Sequence, residues 1–192
     1  MGKTLSKKQI DKFQPRAAAP NLSKEGPSKW LVKHIPNDIT WTDTIPFVPP
    51  IKGGYGRVIK VYDGDTITIA GMLPYKYSKI YRFQVRLNGI DSPEMRTHNK
   101  SEKAVAILAQ EALSQMIKGQ WVILNNTGND KYGRLLADVW FGDININSWM
   151  IDKRFAVPYD GGTKRIPADW ELYYETGNME INRSLYFDYE NY

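Results

Sequence analysis

The chain contains no cysteine among its 192 residues. That excludes disulfides and thiolate metal sites, so any bound metal would take oxygen ligands. No apolar run approaches the roughly 20 residues that a membrane-spanning helix needs, and the N-terminus lacks the apolar core of a signal peptide. The localisation expected from these absences is intracellular. Acidic residues are scarce at the start: residues 1–29 carry seven Lys/Arg against two Asp/Glu. Residues 30–165 hold a further net +5, and residues 166–192 reverse it to −5. A basic body attracts polyanions such as nucleic acid, although the same charge also serves solubility.

Residues 1–29 are rich in Lys, Ala, Pro and Ser, lack sustained periodicity, and read as a flexible basic arm. The start, Met1-Gly2-Lys3-Thr4-Leu5-Ser6, fits the N-myristoylation pattern, with lysines following. Acylated Gly2 would give marginal membrane binding, which the basic residues would strengthen on anionic lipid. An unmodified arm would simply touch nucleic acid, or nothing. Residues 30–55 combine Trp30, Leu31, Trp41 and Phe47 with four prolines, which predicts an extended strap packed on the domain.

From Gly56 the pattern changes. Arg57 to Tyr62 is β-branched and aromatic, Asp63-Gly64 is a hairpin signal, and Asp65 to Ile69 alternates. A third strand is expected over Tyr81 to Leu87, a helix over Glu102 to Lys118, and strands over Trp121 to Leu124 and Arg134 to Phe141. A polar loop is expected over Asn125 to Gly133. Ile144 to Phe155 reads as a short helix. Asp169 to Glu180 reads as another, interrupted near Gly177. Five short strands with about three helices predict an α+β, mainly β, oligonucleotide-binding-type (OB-fold) barrel. The expected organisation is an arm over 1–29, a strap over 30–55, a domain over 56–187 and an acidic, Tyr-rich tail over 188–192.

Three segments carry chemistry. In Arg86-Leu87-Asn88-Gly89-Ile90-Asp91-Ser92-Pro93-Glu94, a cation that can grip phosphate stands near two carboxylates, where an apolar strand meets a Ser-Pro turn. In Asp63-Gly64-Asp65-Thr66, Asp65 follows a turn and projects towards the exit of strand three. Asp65 and Asp91 could then share one hard cation, with the Ser92 carbonyl beside them. In Asp130-Lys131-Tyr132-Gly133-Arg134, Arg134 opens strand five, and a second arginine could join Arg86 on one phosphate. Singly, each has a plainer reading as a turn, cap or surface residue.

Together these segments resemble the staphylococcal-nuclease-like (thermonuclease) family over roughly residues 56–187. The resemblance rests on the Asp-Gly-Asp-Thr turn, the run from Arg86 to Pro93-Glu94, and the Tyr-Gly-Arg start of strand five. It implies Ca²⁺ as cofactor, held by Asp65, Asp91 and the Ser92 carbonyl. It implies Glu94 as general base and Arg86 and Arg134 as phosphate clamps. Tyr132, Leu136 and Tyr159 would be substrate-binding residues near the 5′-phosphate and nucleobase. The implied reaction is low-specificity hydrolysis of DNA and RNA phosphodiesters, leaving 3′-phosphate ends. The chain departs from the family pattern in residues 1–55, in a short loop over Met95 to Ser101, and in a weak final helix. The other reading is a non-catalytic nucleic-acid- or protein-binding module on the same barrel.

Overall fold

The computed structural model describes residues 28–180. Two compact units divide between Ile45 and Pro46. In the first, α1 (Lys29–His34) is capped by the Ser28 hydroxyl, which accepts from the Leu31 amide at 3.4 Å. The proline content had pointed to extended chain throughout 30–55. It acts only locally: α1 ends before Pro36, and 3-10 turns follow at Trp41–Asp43 and Lys52–Gly54.

The second unit is a closed barrel of five main strands. These are β1 (Tyr55–Val61), β2 (Thr66–Met72), β3 (Ile80–Leu87), β5 (Trp121–Asn129) and β6 (Leu135–Phe141). Antiparallel pairings join β1 to β2, β2 to β3, β1 to β5 and β5 to β6. The barrel closes through a parallel pairing in which Val85, Arg86 and Leu87 face Leu135, Leu136 and Ala137. Period-two alternation sends Ile67, Ile69, Val85, Leu87, Val122, Leu124, Ala137 and Val139 inward, all essentially inaccessible. The five-stranded barrel is as the strand pattern predicted.

Helix α2 (Lys100–Ile117) begins at Asn99, whose side chain accepts from the Glu102 amide. It buries Val105, Ala106, Ala109, Leu113 and Ile117, a stripe at intervals of one, three and four residues. Helix α3 (Ile146–Asp152) is shorter than the predicted 144–155, because Ile144–Asn145 forms a strand, β7, against β6. Helix α4 (Trp170–Thr176) is capped by Asp169 and stops at Gly177, which takes φ 79°. Val157, Trp170 and Tyr173 pack with Val105 in a small second core that seats α4 on α2.

Two features were not legible beforehand. The polar stretch from Asn125 continues as strand to Asn129, with a bulge between Asn125 and Gly128 where Asn126 has φ 49°. Polar residues persist there because Asn125, Asn126 and Thr127 are exposed, so the ladder needs no apolar side chains. A separate two-stranded ribbon pairs β4 (Ile90–Asp91) with β8 (Val157–Pro158). The chain just after β3 is therefore held from a point more than sixty residues on.

Candidate active site

The turn between β1 and β2 carries Asp65 because the chain there packs tightly. The Tyr62 amide donates to the Thr66 carbonyl at 2.9 Å, and the Asp65 amide donates to the Asp63 side chain at 3.1 Å. Gly64 is required for space rather than for a left-handed conformation. A Cβ there would stand 2.8 Å from Ser92 Cβ and 3.0 Å from Ala109 Cβ. The turn is thus wedged between the chain that follows Asp91 and the buried face of α2.

Asp65, Arg86 and Asp91 form one bonded cluster. Arg86 Nη1 donates to Asp65 Oδ2 at 2.6 Å, and Nη2 donates to Asp91 Oδ1 at 2.9 Å and to the Ile90 carbonyl at 3.1 Å. The Thr66 hydroxyl and the Ser92 amide also donate to the Asp65 carboxylate, at 2.8 and 3.3 Å. Asp65 and Asp91 are 4% and 3% exposed. Burying two carboxylates so completely is tolerable only because a cation and several donors face them. Burial opposes the Arg86 charge, but Asp65 and Asp91 outweigh it and raise its pKa further. Asp63 behaves differently. Burial first, and then the nearby Asp65 charge, push its carboxyl up to about 7.

Glu94 stands at the rim with its side chain 65% exposed. Its amide donates to Glu102 Oε1 at 3.0 Å, and Lys103 donates to the Met95 carbonyl, so the first turn of α2 anchors this loop. Arg134 is aimed by Asp130. One Asp130 oxygen accepts from the Tyr132 and Arg134 amides, both at 2.8 Å, and the other takes Arg134 Nε at 2.6 Å. Burial raises the Asp130 pKa, but the bonds from Arg134 and Tyr132 prevail and hold it below its ordinary value. Gly133, at φ 81°, lets the chain turn back through this loop.

A cleft of about 720 Å³ gathers these groups. Asp65, Arg86, Ser92, Glu94, Tyr132, Arg134, Leu136 and Tyr159 all line it, and Asp91 reaches it through its bond to Arg86. Every candidate residue from Asp65 to Tyr159 is thus brought to one place. Tyr159 arrives through the β4–β8 ribbon. Its amide donates to the Gly89 carbonyl at 2.9 Å, and its ring centroid lies 5.9 Å from the Arg86 guanidinium. Tyr132, 74% exposed, has the Arg134 guanidinium 5.7 Å from its ring. Leu136 faces Arg86 across the β3–β6 pairing. Gly2 lies outside the described residues, as do residues 181–192.

The sequence reading missed Lys164. Its ammonium lies 3.0 Å from Asp91 Oδ2 and 3.4 Å from Glu94 Oε1. Burial opposes its charge, but Asp91 and Glu94 raise its pKa. It sits in an irregular stretch between prolines, with no motif to mark it. Asp63 and Asp130 were also passed over, although both stand inside the quoted motifs.

As a cation site the cluster offers hard oxygen donors, the two Asp carboxylates and the Ser92 carbonyl, at a buried point. No group of three or more acidic or imidazole side chains suited to a metal occurs among the described residues. Two carboxylates, a carbonyl and waters nevertheless satisfy the ligand chemistry of Ca²⁺. The buried charges also agree. Asp65, Asp91 and Arg86 together leave one negative charge, which Lys164 now faces. The donor set therefore fits a hard divalent cation.

The comparisons with known proteins agree with the fold. The family model described as "Staphylococcal nuclease homologue" matches residues 84–175. An uncharacterized endonuclease of Haemophilus influenzae is 34% identical over 103 residues, which cover 54% of this chain and 51% of that protein. A probable endonuclease of Schizosaccharomyces pombe is 32% identical over 132 residues, covering 57% of each. A probable endonuclease of Candida tropicalis is 25% identical over 166 residues, covering 76% of this chain and 71% of that protein. Among the first of these relatives the chain spans little more than half of their length. On its barrel and the match over residues 84–175, the chain is similar to the staphylococcal-nuclease-like family.

Proposed function

We propose that the chain is a Ca²⁺-dependent nuclease that hydrolyses phosphodiesters of DNA and RNA with low sequence specificity and leaves 3′-phosphate ends. The observation that carries the reading is the bonded Asp65–Arg86–Asp91 cluster opening into the same cleft as Glu94 and Arg134. A protein that only bound nucleic acid would have little need of two buried carboxylates in a surface that must meet phosphate, because they repel it. A hydrolase needs them to hold a cation.

Asp65, Asp91 and the Ser92 carbonyl would hold Ca²⁺, which when bound supplies charge neutralisation at the phosphate and a Lewis-acid contact. The residues of the chain do the rest. Arg86 uses three of its five N–H groups on Asp65, Ile90 and Asp91, and others remain for a phosphate oxygen. Arg134, braced by Asp130, presents a second planar fork, and the pair stabilises the extra negative charge of the transition state. Glu94, exposed at the rim, takes a proton from the attacking water as the new P–O bond forms; the bond from phosphorus to the 5′ oxygen breaks, the phosphate stays on the 3′ oxygen, and the departing 5′ oxygen takes a proton from solvent. Tyr132, Leu136 and Tyr159 give aromatic and apolar walls that any base can meet, consistent with low sequence specificity.

The test is cleavage of single-stranded DNA, with Ca²⁺ and then with chelator, by wild type and Glu94→Gln. The expected result is Ca²⁺-dependent cutting that falls by roughly 10²–10⁴-fold in the variant, with products that accept label only after phosphatase removes a 3′-phosphate. Folded wild-type protein that binds polynucleotide but never cuts would overturn the enzymatic reading in favour of a binding module.

A further inference from the structure

Beside the active-site cleft lies a second cleft of about 500 Å³. The two are adjacent, since Asn129, Tyr132 and Arg134 line both. Their chemistry differs. The first is studded with carboxylates from Asp63, Asp65, Glu94, Asp130 and Asp160, whereas the lining of the second contains none. Its charged side chains are Arg82 and Arg134, and its walls include Phe47, Phe83 and Tyr132.

We propose that this second cleft is a binding subsite for a nucleotide next to the one being cut, with Phe47 as the base platform and Arg82 as the phosphate contact. The proposal rests on the nuclease reading above and extends it to the length of strand the protein engages. Phe47 leaves 72% of its surface exposed, although it belongs to the compact unit. Its position is fixed from the barrel, because Asn129 Nδ2 donates to the Phe47 carbonyl at 2.9 Å. An exposed ring held by its backbone suits stacking on a base better than core packing. On β3, Arg82, Gln84 and Arg86 alternate with inward residues, so the same face of one strand runs from the second cleft to the phosphate clamp. Four residues along a strand span roughly 13 Å, about two phosphate steps of an extended single strand. Arginines at 82 and 86 are thus spaced to meet alternate phosphates.

Phe47, Arg82 and Phe83 all precede residues 84–175, the segment that matches the family model. The strap thus contributes Phe47, and the start of β3 contributes Arg82 and Phe83, to a cleft whose other wall, from Asn129 to Leu135, lies inside that match.

The experiment measures binding of fluorescent single-stranded oligodeoxynucleotides of two, four and eight residues by anisotropy. Chelator is present so that nothing is cut. Wild type is compared with Phe47→Ala, Phe47→Tyr and Arg82→Ala, with circular dichroism to confirm folding. The expected result is a loss that depends on length. The octanucleotide weakens about tenfold with Phe47→Ala, the dinucleotide changes less than twofold, and Phe47→Tyr restores wild-type binding. Arg82→Ala should lower the slope of log affinity against log salt for the octanucleotide alone, by roughly one counterion. An equal loss at every length, or no loss at all, would overturn the subsite while leaving the nuclease reading intact. A wild type that neither binds nor cuts oligonucleotides would overturn both.

Discussion

Lys164 occupies the position where a bound cation would be most welcome, and its removal should tighten Ca²⁺ binding. Its ammonium lies 3.0 Å from Asp91 Oδ2. At that distance two unit charges attract by about 1.4 kcal/mol in water and about 5.5 kcal/mol at an effective dielectric of about 20. The Lys164 side chain is 45% exposed while that of Asp91 is 4% exposed, so the pair is only partly shielded from solvent. Screening and side-chain entropy bring its worth to about 1–2 kcal/mol. A cation binding at Asp91 must displace Lys164 or bear its repulsion, and either cost disappears in Lys164→Met. Since 1.4 kcal/mol is about tenfold in a constant, the variant should bind Ca²⁺ roughly 5–30 times more tightly. Isothermal titration of chelator-treated protein measures this directly, and the gap between the two proteins should narrow as salt rises. Equal or weaker Ca²⁺ binding by Lys164→Met would refute the competition. If that variant instead lost oligonucleotide affinity with Ca²⁺ affinity unchanged, Lys164 would be a phosphate ligand.

Three further predictions concern the supports of the site. Asn147 is 6% exposed; its side chain accepts from the Val139 amide and donates to the Asn88 and Ala137 carbonyls. Asn147→Leu would strand buried backbone groups and should cost about 2–4 kcal/mol in urea denaturation, whereas a change under 0.5 kcal/mol would show that water replaces the amide. Gly64→Ala would press a methyl group against Ser92 and Ala109, so it should destabilise by about 1–3 kcal/mol and weaken Ca²⁺ binding measured in the same titration. Asp130→Asn keeps the shape of the loop but removes the charge that braces Arg134. It should lower kcat/KM by roughly tenfold while leaving Ca²⁺ affinity unchanged, and an unchanged kcat/KM would show that Arg134 needs no brace.

The residues that line the candidate site were legible because they are concentrated in short motifs with strong local constraints. Asp65 follows a glycine that only a crowded turn demands. Arg86, Asp91, Ser92 and Glu94 fall within nine residues around a proline. Arg134 follows a glycine with positive φ. The barrel strands were legible for a related reason. A closed sheet buries one face, so inward residues must alternate as Ile67 and Ile69 do. Strand ends were less legible: Asn125 to Asn129 pairs as strand although its side chains are polar, because pairing is a backbone property that solvent-facing side chains do not reveal.

The sequence by itself determined which residues could carry the chemistry, and the period that folds them into a barrel. Tertiary structure alone decided which of them meet. Lys164 reaches Asp91 from 73 residues away, and Tyr159 comes beside Arg86 only through the β4–β8 ribbon. Phe47 joins Arg82 and Arg134 around one cleft, across two strands and a long loop. None of these meetings has a local signature. A lysine, a tyrosine and a phenylalanine in irregular chain are common. Their significance comes from the charge and apolar surface that the closed barrel places opposite them.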